Sequence, residues 1–207
     1  MHGLGIIVGF EKFKQFEIAL GEYTGAPHVV LTDCCTHAVE LCLRLKGTGI
    51  ATLPYKSYIS IPMTMHKLGI DYHYDTEVEW QYEYRIGLTS IWDSARGFDK
   101  GMCRASHMQC LSFGHSKRLE IGHGGAIITT NKQDADQLRL MAYDGRDLSI
   151  SPWQDQKVFR VGYHYKPSIE DCEKGIYMLA NNILKTKESQ QVAYPDLTEI
   201  KICDGRL

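Results

Sequence analysis

The sequence predicts an α/β protein, a three-layer α/β/α sandwich on a mostly parallel sheet. Two observations predict it. Short apolar runs of three to five residues recur along the chain, and longer stretches whose apolar residues repeat every three or four positions lie between them. Unbroken apolar runs suit strands buried on both faces, which helices must then cover above and below. At 207 residues the chain is long enough for one substantial core, so residues 1–207 are expected to form a single domain.

The elements follow in order. Phe10, Phe13, Phe16, Ile18 and Leu20 predict a helix that stops near Gly25, and Val29, Val30 and Leu31 a short buried strand. Thr36 is placed to cap a second helix with Ala38, Val39, Leu41, Cys42 and Leu45 on its apolar face. Residues 50–53 read as a strand stopped by Pro54, and 59–68 as a helix with Pro62 in its first turn. Strands are expected at 88–92, 109–113 and 126–130, then a helix at about 134–143. Residues 144–168 read as loop and turn, 169–187 as a helix and 197–202 as a strand.

Composition narrows the function. A net charge of −2 with interspersed charges gives no reason to expect nucleic acid or an anionic membrane surface, and no apolar stretch is long enough to span a bilayer. The amino terminus has neither the basic region nor the cleavage site of a secretion signal, so a cytoplasmic location is expected. The seven cysteines form an odd set without a C-x-x-C pair and read as reduced thiols, and the nine scattered histidines suggest no metal.

The chemistry concentrates at strand ends, where ligands of such sheets bind. Lys117 lies between a strand that ends in Ser112 and the glycine turn Gly122-His123-Gly124-Gly125, a setting that presents an amine inside a cleft and suits a Schiff-base nucleophile. Asp33-Cys34-Cys35-Thr36 follows the first core strand and opens a helix; its free backbone N–H groups suit a phosphate, or equally plain helix capping. Asp93 ends another strand, where a carboxylate caps a loop, forms an ion pair or partners a protonated heteroaromatic nitrogen. Tyr58 is a packing residue or a stacking platform for a flat ring.

Read in order, these motifs resemble the DegT/DnrJ/StrS family of pyridoxal-phosphate nucleotide-sugar aminotransferases, of the aspartate-aminotransferase fold. The resemblance covers roughly residues 10–180, from Phe16-Glu17 and Glu22-Tyr23-Thr24-Gly25 to Val161-Gly162-Tyr163-His164-Tyr165-Lys166. It implies pyridoxal 5'-phosphate as cofactor and Lys117 as the catalytic lysine of the internal aldimine. It also implies that Asp93 holds the pyridine nitrogen protonated, that Ser112, Cys35 and Thr36 cradle the phosphate, that Tyr58 stacks on the ring and that Arg96 sits near the 3-hydroxyl. His164 falls where the family has an asparagine that reaches the neighbouring subunit's phosphate, which implies a homodimer with shared sites.

The implied reaction moves an amino group, from glutamate or glutamine, to a nucleotide-linked keto-sugar. Retention of Lys117 argues against the dehydratase branch, which replaces the lysine with histidine. The chain departs from the family pattern at Cys35, where a glycine is usual, at Arg96, at His123 and at Lys166-Pro167. The sequence stops soon after the helix expected to lead into the carboxyl-terminal small domain, so the resemblance implies a large domain with that small domain largely absent. Two other readings stay open: a non-catalytic, truncated binding or assembly subunit, and a pyridoxal-phosphate enzyme acting on a non-sugar carbonyl.

Overall fold

The computed structural model describes residues 4–188 and 193–202. Helix α1 (Leu4–Thr24) precedes strand β1 (His28–Thr32), helix α2 (Cys35–Lys46), strand β2 (Ile50–Pro54), helix α3 (Ser60–Leu68) and strand β3 (Asp71–Asp75). Strands β4 (Tyr84–Arg85), β5 (Ile91–Asp93), β6 (Met108–Ser112) and β7 (Gly125–Thr129) follow, then helices α4 (Lys132–Ala142) and α5 (Ile169–Ala180). The main sheet has the order β1-β7-β6-β5-β4. Its β1, β6 and β5 run one way, because β7 is antiparallel to both β1 and β6 and β5 is parallel to β6; β4 and β7 run the other way.

Strands β2 and β3 form a separate parallel pair, tied to the hairpin that joins β4 to β5 by the Gly87 N–H, which donates to the Thr52 carbonyl at 2.9 Å. Gly87 has a φ of +54°, and a Cβ there would stand 3.1 Å from the Thr52 nitrogen. The close approach therefore needs glycine.

Alternation along β6 shows that both faces of the sheet are covered. Cys110 faces α2, with its Sγ 3.8 Å from that of Cys42, whereas Phe113, odd-numbered like Leu111, meets Phe16 of α1 at 5.7 Å between ring centroids. The expected α/β sandwich is thus present, but the sheet expected to be mostly parallel is mixed, with three of the four pairings in the five-stranded sheet antiparallel. Among the described side chains of α1, Phe13, Phe16, Leu20 and Thr24 are buried in one helical stripe, and Ile18 falls off it at 51% exposure.

Several expected boundaries move. Thr36 does not cap α2: the N-cap is Cys34 and Thr36 lies inside the first turn. Leu88 is in the turn before β5 and is 93% exposed, because the hairpin reverses there. Helix α5 ends at Ala180, not near 187. Residues 197–199 form a 3-10 turn, not a strand, since the Asp196 side chain accepts from the Thr198 N–H and caps it. The six described cysteines are free, and Cys203 lies outside the described residues. No described helix is long and apolar enough to cross a membrane.

Candidate active site

The loop from β6 to β7 carries the lysine. It is pinned at its neck by Phe113 N–H to Gly124 O at 3.0 Å and Gly122 N–H to Phe113 O at 2.9 Å, so residues 114–122 stand out as a closed excursion. Within it Ser116 adopts a φ of +70°, which a non-glycine residue seldom holds unless its surroundings impose it. The Glu120 carboxylate accepts from the Ser116 N–H at 3.1 Å, and Lys117 N–H closes the turn onto Gly114 O at 3.2 Å. The turn directs the Lys117 side chain back toward the sheet. Burial there pushes its amine below the usual lysine range; the neighbouring Cys35 and Asp93 oppose that shift and Arg96 adds to it.

Asp93 ends β5 with 6% of its surface exposed. Its Oδ2 accepts from the Tyr84 hydroxyl at 2.8 Å and its Oδ1 from the Ala95 N–H at 3.0 Å. Burial pushes the carboxyl up, against those two donors and the Lys117 charge. A buried carboxylate with one lone pair still open on each oxygen is a strong acceptor for one more charged N–H.

The third component is the N-terminus of α2. Cys34 makes no side-chain cap, so the first-turn N–H groups and the positive end of the helix dipole open on the cavity. The start of β7 runs directly beneath: a Cβ on Gly125 would lie 2.6 Å from Cys34 C and Cys35 N. Only glycine lets strand and helix approach this closely.

Three hydroxyls gather around this end. Thr36 Oγ1 donates to Ser60 Oγ at 2.8 Å, which leaves the Ser60 proton to donate onward. Ser112 Oγ accepts from Gly114 N–H at 3.5 Å and keeps its own proton. The Cys35 thiol turns away, donating to Cys110 O at 3.4 Å, so Cys35 offers its backbone rather than its sulfur. On the outer side His37 Nδ1 pairs with Asp33 Oδ1 at 2.6 Å, and the ring lies flat on Tyr165 with centroids 3.6 Å apart. The Asp33 hydrogen bond, helped by Cys34, raises the imidazole to about 9. Among the described residues, Asp33, Cys34 and His37 form the one group whose potential metal-ligand atoms lie within 4.8 Å of one another, a proximity the scattered histidines did not signal.

Lys117, Asp93, Ser112, Cys35, Thr36 and Tyr58 line one cavity of about 440 Å³, within the range of small-molecule sites. Arg96 is buried beside it, with its guanidinium 5.9 Å from the ring of Tyr194. His164 does not join them: it is exposed and pairs with Asp144 at 2.8 Å. The cavity also takes Ser60, Trp80 and Tyr194, which the sequence reading did not single out. Ser60 had a usable signal as the polar first residue of a helix; Trp80 and Tyr194 lie in stretches without periodicity and had none.

Comparison with solved structures finds the same fold in several proteins. The chain is similar to a sugar aminotransferase from Micromonospora echinospora, with a TM-score of 0.68 and 16% identity over 87% of this chain and 62% of that one. It is also similar to an aminotransferase of pseudoaminic acid biosynthesis from Helicobacter pylori, with a TM-score of 0.69 and 13% identity over 82% of this chain and 57% of that one. A Bacillus subtilis protein with bound cofactor PMP has a TM-score of 0.64 and 17% identity over 81% of this chain and 47% of that one. The chain thus spans about three fifths or less of the length of these structures. Comparison with curated proteins returns no match. Residues 80–176, the stretch that carries Asp93, Ser112 and Lys117, match the DegT/DnrJ/EryC1/StrS aminotransferase family, as the order of motifs in the sequence implied.

Proposed function

We propose that the chain is a pyridoxal-phosphate-dependent aminotransferase that moves an amino group, from glutamate or glutamine, to the carbonyl of a nucleotide-linked keto-sugar. The observation that carries this is the convergence of a buried amine, a buried carboxylate and an uncapped helix N-terminus on one cavity. The residues present fit the cofactor. The close Gly125 approach beneath Cys34 and Cys35 keeps the cradle open, Ser60 and Ser112 have protons to donate, and Tyr58 stands at the mouth with 58% of its surface exposed.

Each residue then has a task. The α2 N–H groups, Ser112 and the Thr36–Ser60 pair hold a phosphate. Asp93, kept in place by Tyr84 and Ala95, accepts from a ring N–H⁺. When bound, the cofactor supplies an electron sink for charge that develops beside the transferred nitrogen. Lys117, whose burial favours the neutral amine, is the nucleophile that anchors the cofactor and the base that carries a proton to and from the reacting carbon.

A homodimer suits the surface. The stretch leading to His164 exposes Trp153, Val158, Phe159 and Val161, apolar side chains that a second copy would cover, with His164 at its end reaching the neighbouring site. Light scattering should give a dimer.

The test is spectroscopic. Protein supplied with pyridoxal phosphate should turn yellow, its visible band should shift on adding glutamate, and Lys117→Ala should lack the band. Protein that stays colourless in excess cofactor overturns the aminotransferase and leaves a non-catalytic binding subunit. A glutamate-driven shift that no nucleotide-linked keto-sugar reverses points to a non-sugar carbonyl.

A further inference from the structure

The segment 193–202 brings Tyr194 to the cavity. Leu197 is buried at 1% exposure and its N–H donates to Tyr55 O at 2.9 Å, which anchors the segment beside Tyr58. Tyr194 is thereby set on the cavity wall, where its ring stacks on Trp80 with centroids 5.5 Å apart and planes 26° from parallel. The guanidinium of Arg96 lies over the Tyr194 ring at 5.9 Å. Trp80 is itself fixed, because its indole N–H donates to Lys56 O at 2.6 Å. With Trp80 stacked on the ring and Arg96 over it, the hydroxyl is the polar group that Tyr194 has to offer a ligand.

Tyr194 is one of the residues that line the cavity. Burial and the charge of Asp93 push its hydroxyl above the ordinary tyrosine range, with Arg96 opposing and Cys35 and Tyr58 contributing. Asp93, Cys35 and Tyr58 all line the cavity. The phenol therefore stays protonated at neutral pH and can donate, while the indole beside it presents an apolar surface. A hydroxyl donor next to a flat apolar surface is the pairing a sugar ring asks for, since a sugar has C–H faces and hydroxyl edges.

We propose that Tyr194 and Trp80 form the acceptor side of the cavity, with the Tyr194 hydroxyl hydrogen-bonding a hydroxyl of the sugar ring whose carbonyl is aminated. This inference rests on the function proposed above, and its test is separable from it. Equilibrium binding to the cofactor-supplied protein is measured for uridine- and thymidine-diphosphate hexoses and for the same diphosphates without sugar, in the wild type, Tyr194→Phe and Tyr194→Ala. Cofactor uptake is read in parallel by visible absorbance.

Tyr194→Phe should bind the hexose conjugates about three- to tenfold more weakly, the worth of one hydrogen bond, and Tyr194→Ala at least as weakly. Both variants should bind the sugar-free diphosphates and the cofactor as the wild type does. Should Tyr194→Ala fail to fold, the nearly isosteric Tyr194→Phe carries the comparison. Unchanged hexose binding in both variants overturns the proposal, and so does an equal loss for sugar-free diphosphates, or a wild type that binds no hexose conjugate. Loss of cofactor uptake in Tyr194→Phe also overturns it, by assigning the hydroxyl to the cofactor. A colourless wild type whose hexose affinity still falls in Tyr194→Phe supports this wall while overturning the aminotransferase.

Discussion

Gly125→Ala tests whether the helix-end cradle depends on the contact beneath it. The added Cβ would stand 2.6 Å from Cys34 C, 2.6 Å from Cys35 N and 2.8 Å from Leu111 O, all backbone atoms. Gly125 is also paired with Thr32 of β1 on one side and Ser112 of β6 on the other, so it cannot retreat within the sheet. The strain must be relieved by lifting the N-terminus of α2 off β7. Overpacking a tight site costs roughly 1–3 kcal/mol, and three backbone obstacles place this variant at about 3 kcal/mol.

Gly49→Ala is the matched control. A Cβ there meets nothing within 4 Å and its φ is not left-handed, so its effect should stay within about 0.5 kcal/mol. Denaturant unfolding of both variants measures the difference, and cofactor titration by absorbance measures the cradle. Gly125→Ala should lose most of its affinity for pyridoxal phosphate under conditions where it remains folded. A destabilisation below about 1 kcal/mol with unchanged cofactor affinity would refute the reasoning.

Two further predictions follow from neighbouring groups. His37 has its pKa raised by Asp33 from 6.5 to about 9, so its contribution to stability is fully present below about pH 6.5 and fades as pH rises through about 9. Discounted for the solvent access of a pair with 27% and 23% side-chain exposure, that contribution is about 1–2 kcal/mol; Asp33→Asn unfolding curves that parallel the wild type from pH 6 to 10 would count against it. Tyr84→Phe removes a 2.8 Å donor from the buried Asp93 carboxylate, and should cost about 1–3 kcal/mol in denaturant unfolding and weaken cofactor uptake; a variant indistinguishable from the wild type in both would show that Ala95 alone suffices.

What the sequence made legible was whatever has a local signature. Strands β1, β6 and β7 are apolar runs because both their faces are covered, and their positions follow from that directly. Strand β3 escaped notice because Asp71-Tyr72-His73-Tyr74-Asp75 sits at the edge of a two-stranded sheet and alternates partly exposed polar and aromatic residues. The same logic divides the site. Lys117, Asp93 and Ser112 stand at strand ends that periodicity locates, so a βα reading brings them together. Tyr194 is brought to the cavity by long-range contacts, a backbone bond from Leu197 to Tyr55 some 140 positions earlier and a stack on Trp80, and no local pattern encodes such contacts. Even at legible positions the sequence named the residue and not its orientation: the Cys35 sulfur turns to Cys110, and the Thr36 proton is spent on Ser60.

The segment between β3 and β5 has a positive role in the structure. A strand parallel to β5 needs a crossover of a dozen or more residues, whereas an antiparallel one needs only a tight turn. The chain takes the second course with the hairpin of β4 and β5, and in its register Tyr84 lies directly opposite Asp93. Opposed residues of an antiparallel pair point to the same face, which is why the phenol meets the carboxylate. Gly87 in the hairpin turn then ties β2 to the sheet through Thr52. One short hairpin thus sets the orientation of the carboxylate and bridges the two sheets, so substitutions that loosen its turn should disturb Asp93 from outside the cavity.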